Sequence, residues 1–139
     1  MNNLLAPHLV ALVDGAPRLM GSRCTACGER YFPACRGCTR CCSTDLAPAD
    51  LGGRGSLWSW TVQGFLPKAP YDSGETASDF APYGVGYVEL SCGLKVEARL
   101  TEVEGLVIGM PMALVVVPYR KGSSGLQTYA FSPVTEGRP

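Results

Sequence analysis

Cys24-Thr25-Ala26-Cys27, separated by ten residues from Cys38-Thr39-Arg40-Cys41, decides the reading of this chain. Two Cys-x-x-Cys knuckles at that separation close around one tetrahedral metal, because each tight turn delivers two thiolates. Cys35-Arg36-Gly37-Cys38 has the same spacing, so a second knuckle from Cys35 and Cys38 stays open. The Cys38 and Cys41 choice leaves a ten-residue loop with room for a hairpin that includes Tyr31-Phe32-Pro33. Cys35 then lies in the returning loop, and Cys42 follows the knuckle where a small residue is usually needed. Both extras read as small thiols beside a metal, which cost little when buried.

Six of the seven cysteines fall between Cys24 and Cys42, a clustering that metal explains better than disulfides do. Four protein sulfurs leave no position open for water or substrate, so the site builds structure and does not catalyse. A ribbon of roughly thirty residues buries too little surface to fold alone, and metal binding supplies the missing free energy. Structural zinc is the expected ion. Iron passing electrons is the alternative, and it predicts a coloured protein.

The 139 residues suit one compact domain or two very small ones. With 46% hydrophobic and 17% charged residues, a real core is expected and disorder is not. Gly 17 and Pro 11 favour turns and short strands over a helical bundle. The formal net charge is +0, which argues against nucleic acid as partner, because phosphate neutralisation usually dominates that affinity. A nucleic-acid-binding ribbon and barrel module is therefore the weaker alternative. No stretch reaches the ~18 to 20 apolar residues needed to span a bilayer, so no membrane association is expected. The start, Met1 to His8, lacks the features of a secretory signal, and the chain reads as cytoplasmic.

Outward from the cysteines, residues 3–14 place Leu5, Leu9 and Leu12 at helical spacing, with Pro7 in the first turn and Asp14-Gly15 as the stop. A short docked helix is expected there. Arg18 to Cys24 and Arg30 to Phe32 read as strands flanking the first knuckle. Leu51 to Arg54 reads as a linker, and beyond it the period changes to two. Ser56–Gln63 puts Trp58, Trp60 and Val62 on one side, with the two tryptophans expected in a barrel core. Tyr83–Leu90 is a second strand. Leu94, Val96, Ala98 and Leu100 alternate with Lys95, Glu97, Arg99 and Thr101, the pattern of a half-buried antiparallel strand. Ser91-Cys92-Gly93 joins these two as a hairpin, and Met112–Pro118 and Leu126–Ser132 add a fourth and a fifth strand. Five strands are too few for a sandwich and fit a small barrel of OB type. The fold class is thus mainly β: a short N-terminal helix and zinc ribbon over residues 1–50, then a five-stranded OB-fold barrel over 51–139. Residues 64–82 form the longest loop.

No nucleophile elbow, Cys/His pair, zincin motif or phosphate loop is present, so the chain is expected to carry no active site of its own. His8 is the one histidine and reads as a surface or docking residue. Cys92 occupies a turn without a neighbouring base, and Asp72, Glu75 and Asp79 read as solvated loop charges.

Gly21-Ser22-Arg23-Cys24-Thr25-Ala26-Cys27-Gly28, Tyr31-Phe32-Pro33 and a second knuckle form one half of a larger pattern. Gly55–Val62, Tyr83–Leu90, Ile108-Gly109-Met110-Pro111 and Phe131-Ser132-Pro133 form the other. In that order they resemble the DUF35 family, a rubredoxin-like zinc ribbon followed by an acyl-CoA-associated OB-fold, over nearly the whole chain. Carried across, the resemblance implies Cys24, Cys27, Cys38 and Cys41 as zinc ligands. Cys42, where the family usually has Gly, and Cys35 depart from it.

The resemblance also implies a role: a non-catalytic subunit beside a thiolase-fold catalytic partner, which would hold the nucleophilic Cys and the histidines. It points to small subunits of thiolases in anaerobic aromatic degradation, of the benzoylsuccinyl-CoA type, and hence to a bulky, aromatic 3-oxoacyl-CoA. The start at Met1 favours a dedicated small subunit; the partner of a retro-aldol lyase acting on steroid side-chain acyl-CoA is the alternative. A subunit helping to bind CoA should offer cations for its phosphates and an apolar wall. Lys68, Arg120 and Lys121 are the candidate cations, and Phe65, with Trp58 and Trp60, the candidate wall.

Overall fold

The computed structural model describes residues 4–119 and 125–134. It is almost wholly β. Among the described residues nine strands run in the order β1 (Val10–Val13), β2 (Ala16–Cys24), β3 (Arg30–Tyr31), β4 (Leu46–Gly52), β5 (Arg54–Gln63), β6 (Tyr83–Leu90), β7 (Lys95–Leu100), β8 (Pro111–Pro118) and β9 (Gln127–Pro133).

The expected N-terminal helix shrinks to one 3-10 turn, Pro7–Leu9, and the chain then enters β1. Asp14-Gly15 is the reason. Both residues take positive φ, 53° and 82°, which makes them the two-residue turn of a hairpin and not a helix stop. Val13 faces Ala16 and Val10 faces Leu19, so the leucines that mimicked a helical stripe are spread over a turn and a strand.

β2 is the spine of the N-terminal sheet and pairs antiparallel with β1, β3 and β4. The segment read as a linker, Leu51 to Arg54, is the end of β4, in which Leu51 is buried, one intervening glycine and the start of β5. Pro48 and the polar residues around it hid this strand. A proline is tolerated there because β4 is an edge strand, paired among the described residues only with β2. Gly53 alone separates β4 from β5, and its carbonyl accepts the Leu114 N–H at 2.8 Å.

Gly21 shows how tightly this sheet is drawn together. A Cβ there would lie 2.1 Å from the Tyr31 carbonyl oxygen and 2.7 Å from a Leu51 methyl. Backbone cannot yield without unpairing β2 from β3. Gly21→Ala is therefore expected to destabilise the chain by about 1–3 kcal/mol in urea unfolding.

The other five strands close a barrel in the order β5-β6-β7-β9-β8, returning to β5. The expected five strands are all present. Closure comes from a parallel contact, Leu100 opposite Phe131, and from β8 pairing with the start of β5. Inside lie Leu57, Val88, Leu90, Val96, Leu100, Met112, Leu114 and Phe131. The core does not stop at the barrel wall, because Val10, Leu19 and Leu51 of the N-terminal sheet belong to the same buried cluster.

One expectation about that core is overturned. Trp58 is 50% exposed and Val62 38%, while Trp60 packs partly buried against the core. A β-bulge between Leu57 and Ser59 breaks the alternation: Leu57 turns inward and Trp58 is pushed out. Its ring then meets Tyr87 edge-on and the Lys95 ammonium, 5.0 Å from the ring centre.

Candidate functional site

The two knuckles are built alike. In the first, Gly28 N–H donates to the Cys24 carbonyl at 2.8 Å and Cys24 N–H to the Glu29 carbonyl at 2.8 Å. In the second, Cys42 N–H donates to the Cys38 carbonyl and Cys38 N–H to the Ser43 carbonyl, both at 2.9 Å. Gly28 has φ 86° and Cys42 has φ 66°, so the residue after each pair sits in the left-handed region. Glycine meets that demand freely; Cys42 meets it at a cost of about 1 kcal/mol.

The sulfurs of Cys24, Cys27, Cys38 and Cys41 all lie within 4.8 Å of one another. Cys24 and Cys41 are 3.6 Å apart, and Cys27 and Cys38 are 3.5 Å apart. A zinc ion bonded to four sulfurs at about 2.3 Å sets their separations near ~3.8 Å, so the residues fit the group. Four cysteines this close together could bind a metal such as zinc. Among the described residues no other such group forms.

The group that lies together takes Cys38 and Cys41, and not Cys35 and Cys38, as its second pair. Cys35 stays outside the quartet: its thiol donates to the Gly37 carbonyl at 3.3 Å, and its N–H donates to Ser22 Oγ at 3.1 Å.

The electrostatics suit a cation. The Tyr31 hydroxyl, 3.1 Å from the sulfur, is the main reason the Cys38 thiol falls to about 6, with the N–H groups of Cys41 and Arg40 helping against burial. Backbone N–H groups, Cys27 first, lower Cys24 as well. Cys41 runs the other way. The Ser43 N–H pulls it down, but Cys24, burial, Cys27 and Cys38 together push it up to about 12. Crowding four sulfurs disfavours four negative charges until a cation joins them.

Ties to neighbouring chain hold the knuckles in place. Thr25 donates from both its N–H and its hydroxyl to the Asp45 carbonyl at 2.9 Å. Glu29 and Arg40 face each other across the knuckles at 3.8 Å, exposed and hence weak.

A second feature was not read from the sequence. A cleft of about 730 Å³ lies between the ribbon's Phe32 and Pro33, the long loop's Pro67 and Tyr71, and β6, β7 and β9. Of the six tyrosines, every one but Tyr31 lines it. Tyr71 stacks on Tyr83 and meets Tyr119 edge-on, while the Arg99 guanidinium lies 4.1 Å from the Tyr83 ring centre. These rings pin the 64–82 loop to the barrel, and Tyr119 Oη accepts the Asp72 N–H at 2.9 Å. Tyr71 Oη is buried without a hydrogen-bond partner among the described residues. Burial first, then Tyr71, pushes the Tyr83 hydroxyl up. Tyrosines scattered through the sequence carry no local signal that they converge.

Lys68 and Phe65 are exposed on either side of Pro67, Phe65 by 73%. They are near the cleft in sequence but do not line it. Arg120 and Lys121 lie outside the described residues. Glu75 accepts the Ser73 hydroxyl and the Ala81 N–H, and Asp79 accepts the Thr76 N–H, so these two carboxylates fold the loop. His8 and Cys92 are exposed. Among the described residues no helix is long and apolar enough to cross a membrane.

Comparison with known proteins agrees with this geometry. The family described as "ChsH2, C-terminal OB-fold domain" matches residues 49–117. A DUF35 domain-containing scaffold protein of Methanothermobacter thermautotrophicus is 30% identical over 119 residues, covering 81% of this chain and 83% of that protein. Benzoylsuccinyl-CoA thiolase subunit BbsA of Thauera aromatica is 33% identical over 98 residues, covering 70% of this chain and 62% of that one. A solved structure, the Ltp2-ChsH2(DUF35) aldolase, superposes with a TM-score of 0.62 at 28% identity over 84% of both chains. A cysteine-rich N-terminal sheet joined to a closed five-stranded barrel, with relatives over most of both lengths, places the chain plainly: it belongs to the DUF35 family.

Proposed function

We propose that this chain is the non-catalytic, zinc-containing partner of a thiolase-fold catalytic subunit and helps that subunit hold a bulky, aromatic 3-oxoacyl-CoA. The observation that carries the reading is the likeness to a thiolase subunit and to the DUF35 part of an aldolase. Cys24, Cys27, Cys38 and Cys41 would hold structural zinc with no open coordination position, which suits a staple and not a Lewis acid. The ribbon of residues 1–50 would then brace the barrel of 51–139 against the partner, in the cytoplasm.

The tyrosine-lined cleft supports a role in ligand binding. Its volume is within the usual range for small-molecule sites, its walls are largely aromatic, and Arg99 supplies a cation. Lys68 and Phe65 would extend that surface along the loop, with Arg120 and Lys121 as further cations.

A second reading has its own support: the solved relative is named an aldolase. The partner would then be a retro-aldol lyase, for which the family resemblance implies a steroid side-chain acyl-CoA. The two chemistries separate cleanly, since thiolysis consumes a CoA thiol and retro-aldol cleavage does not. Co-purification from the native host is expected to bring a thiolase-fold subunit with this chain. The complex should cleave a 3-oxoacyl-CoA only when free CoA is added, and the isolated chain should cleave nothing. Activity from the isolated chain would sink the proposal; cleavage by the complex without CoA would select the lyase.

A further inference from the structure

We propose that Tyr31 is a positioning residue of the metal centre: its hydroxyl donates to the Cys38 sulfur and sets how tightly the quartet retains zinc. The inference rests on the reading that the quartet holds zinc.

The direction of the hydrogen bonds follows from counting donors. Thr39 N–H lies 2.9 Å from Tyr31 Oη and can only donate, so the phenolic oxygen accepts there. Cys38 Sγ is 3.1 Å from the same oxygen. A metal-bound thiolate carries no proton, so in that pair only the phenol can donate. Thr39 Oγ1, at 3.2 Å, then donates into the remaining lone pair. One donor and two acceptors are all that a hydroxyl has, and all three are used.

Placement makes the contact matter. Tyr31 belongs to β3, paired with Ser22 on the hairpin that carries the first knuckle. Cys38 and Thr39 belong to the second. The phenol is thus a cross-tie between the two halves of the site. Among the described residues, Tyr31 alone brings a side-chain hydroxyl to the quartet. An O–H···S bond also draws charge off the bound thiolate and so tunes its bond to the ion. Outer partners of metal ligands typically govern affinity by about 10–100-fold.

The test compares the full chain with Tyr31→Phe, which keeps the ring and removes the hydroxyl. Zinc affinity is measured by competition with a chelator, and the cobalt(II)-loaded protein is read by its sulfur-to-metal charge-transfer band. Expected are zinc binding weaker by about 10–100-fold and a band moved to lower energy, because a thiolate without its donor holds its lone pairs less tightly. Zinc affinity within twofold of wild type overturns the proposal, and so does an unmoved band, since loss of packing alone would not shift it. If Tyr31→Phe fails to fold, the same two measurements on Thr39→Val decide: weaker zinc binding with a shifted band supports the network, and wild-type values overturn it. A wild-type chain that takes up neither zinc nor cobalt ends both this inference and the zinc reading.

Discussion

Replacing Cys24 or Cys38 with serine is expected to take bound zinc from one equivalent to none and to unfold the N-terminal sheet, whereas Cys35→Ser keeps the full equivalent. The contrast follows from the sulfur positions. Cys24 and Cys38 are buried members of the quartet, each within 3.6 Å of another member, while the Cys35 thiol turns to the Gly37 carbonyl. Structural zinc in small peptide sites contributes about 10–16 kcal/mol of apparent free energy, comparable to or larger than the net stability of an ordinary domain. Losing one of four ligands therefore removes more than this ribbon can replace by packing. Metal analysis of the purified variants, with thermal melts in the presence and absence of a chelator, checks both halves. Zinc lost from Cys35→Ser and retained by the Cys24 variant would reassign the ligands.

The parts of this fold that were legible in the sequence are those where a local period matches a local environment. In β7, Val96, Ala98 and Leu100 point inward and Lys95, Glu97 and Arg99 stay on the outer face, so alternation alone located the strand. The knuckles were legible because metal ligation fixes spacing within one turn. Elsewhere the deciding interaction was distant. Pro48 and Asp50 suppress any strand pattern in β4, yet pairing with β2 creates one, helped by the Arg18–Asp50 ion pair at 2.8 Å. Trp58 looked like core because a bulge is a property of two strands at once and leaves no mark on one. Asp14-Gly15 carried the correct signal, a two-residue turn, but the leucines before it imitated a helix. Tyr31 was visible beside the cysteines, although nothing in its sequence neighbours says that its hydroxyl reaches across to the second knuckle. The cleft needs five tyrosines brought from four separate segments, and only the closed barrel does that.

Phe131→Ala is expected to cost about 3–5 kcal/mol and to lower the melting temperature by roughly 10–20 °C. Phe131 is fully buried and sits where the barrel closes, opposite Leu100 in the parallel contact and Leu114 in the antiparallel one. Its carbonyl also accepts the Thr101 N–H at 3.0 Å, so backbone and ring both hold β9 where it runs parallel to the end of β7. Truncation leaves a cavity that the rigid closure cannot collapse around. The more informative consequence is where the damage travels. Val10, Leu19 and Leu51 share a buried cluster with the barrel interior, and the Phe32 ring meets Tyr129 edge-on at 6.0 Å. If ribbon and barrel unfold as one cooperative unit, zinc release followed by a chromogenic chelator will move down in temperature together with the barrel transition followed by circular dichroism. Zinc release that stays at its wild-type temperature while the barrel melts early would show instead that the ribbon is stable on its own, and that its grip on the barrel is a contact and not a shared core.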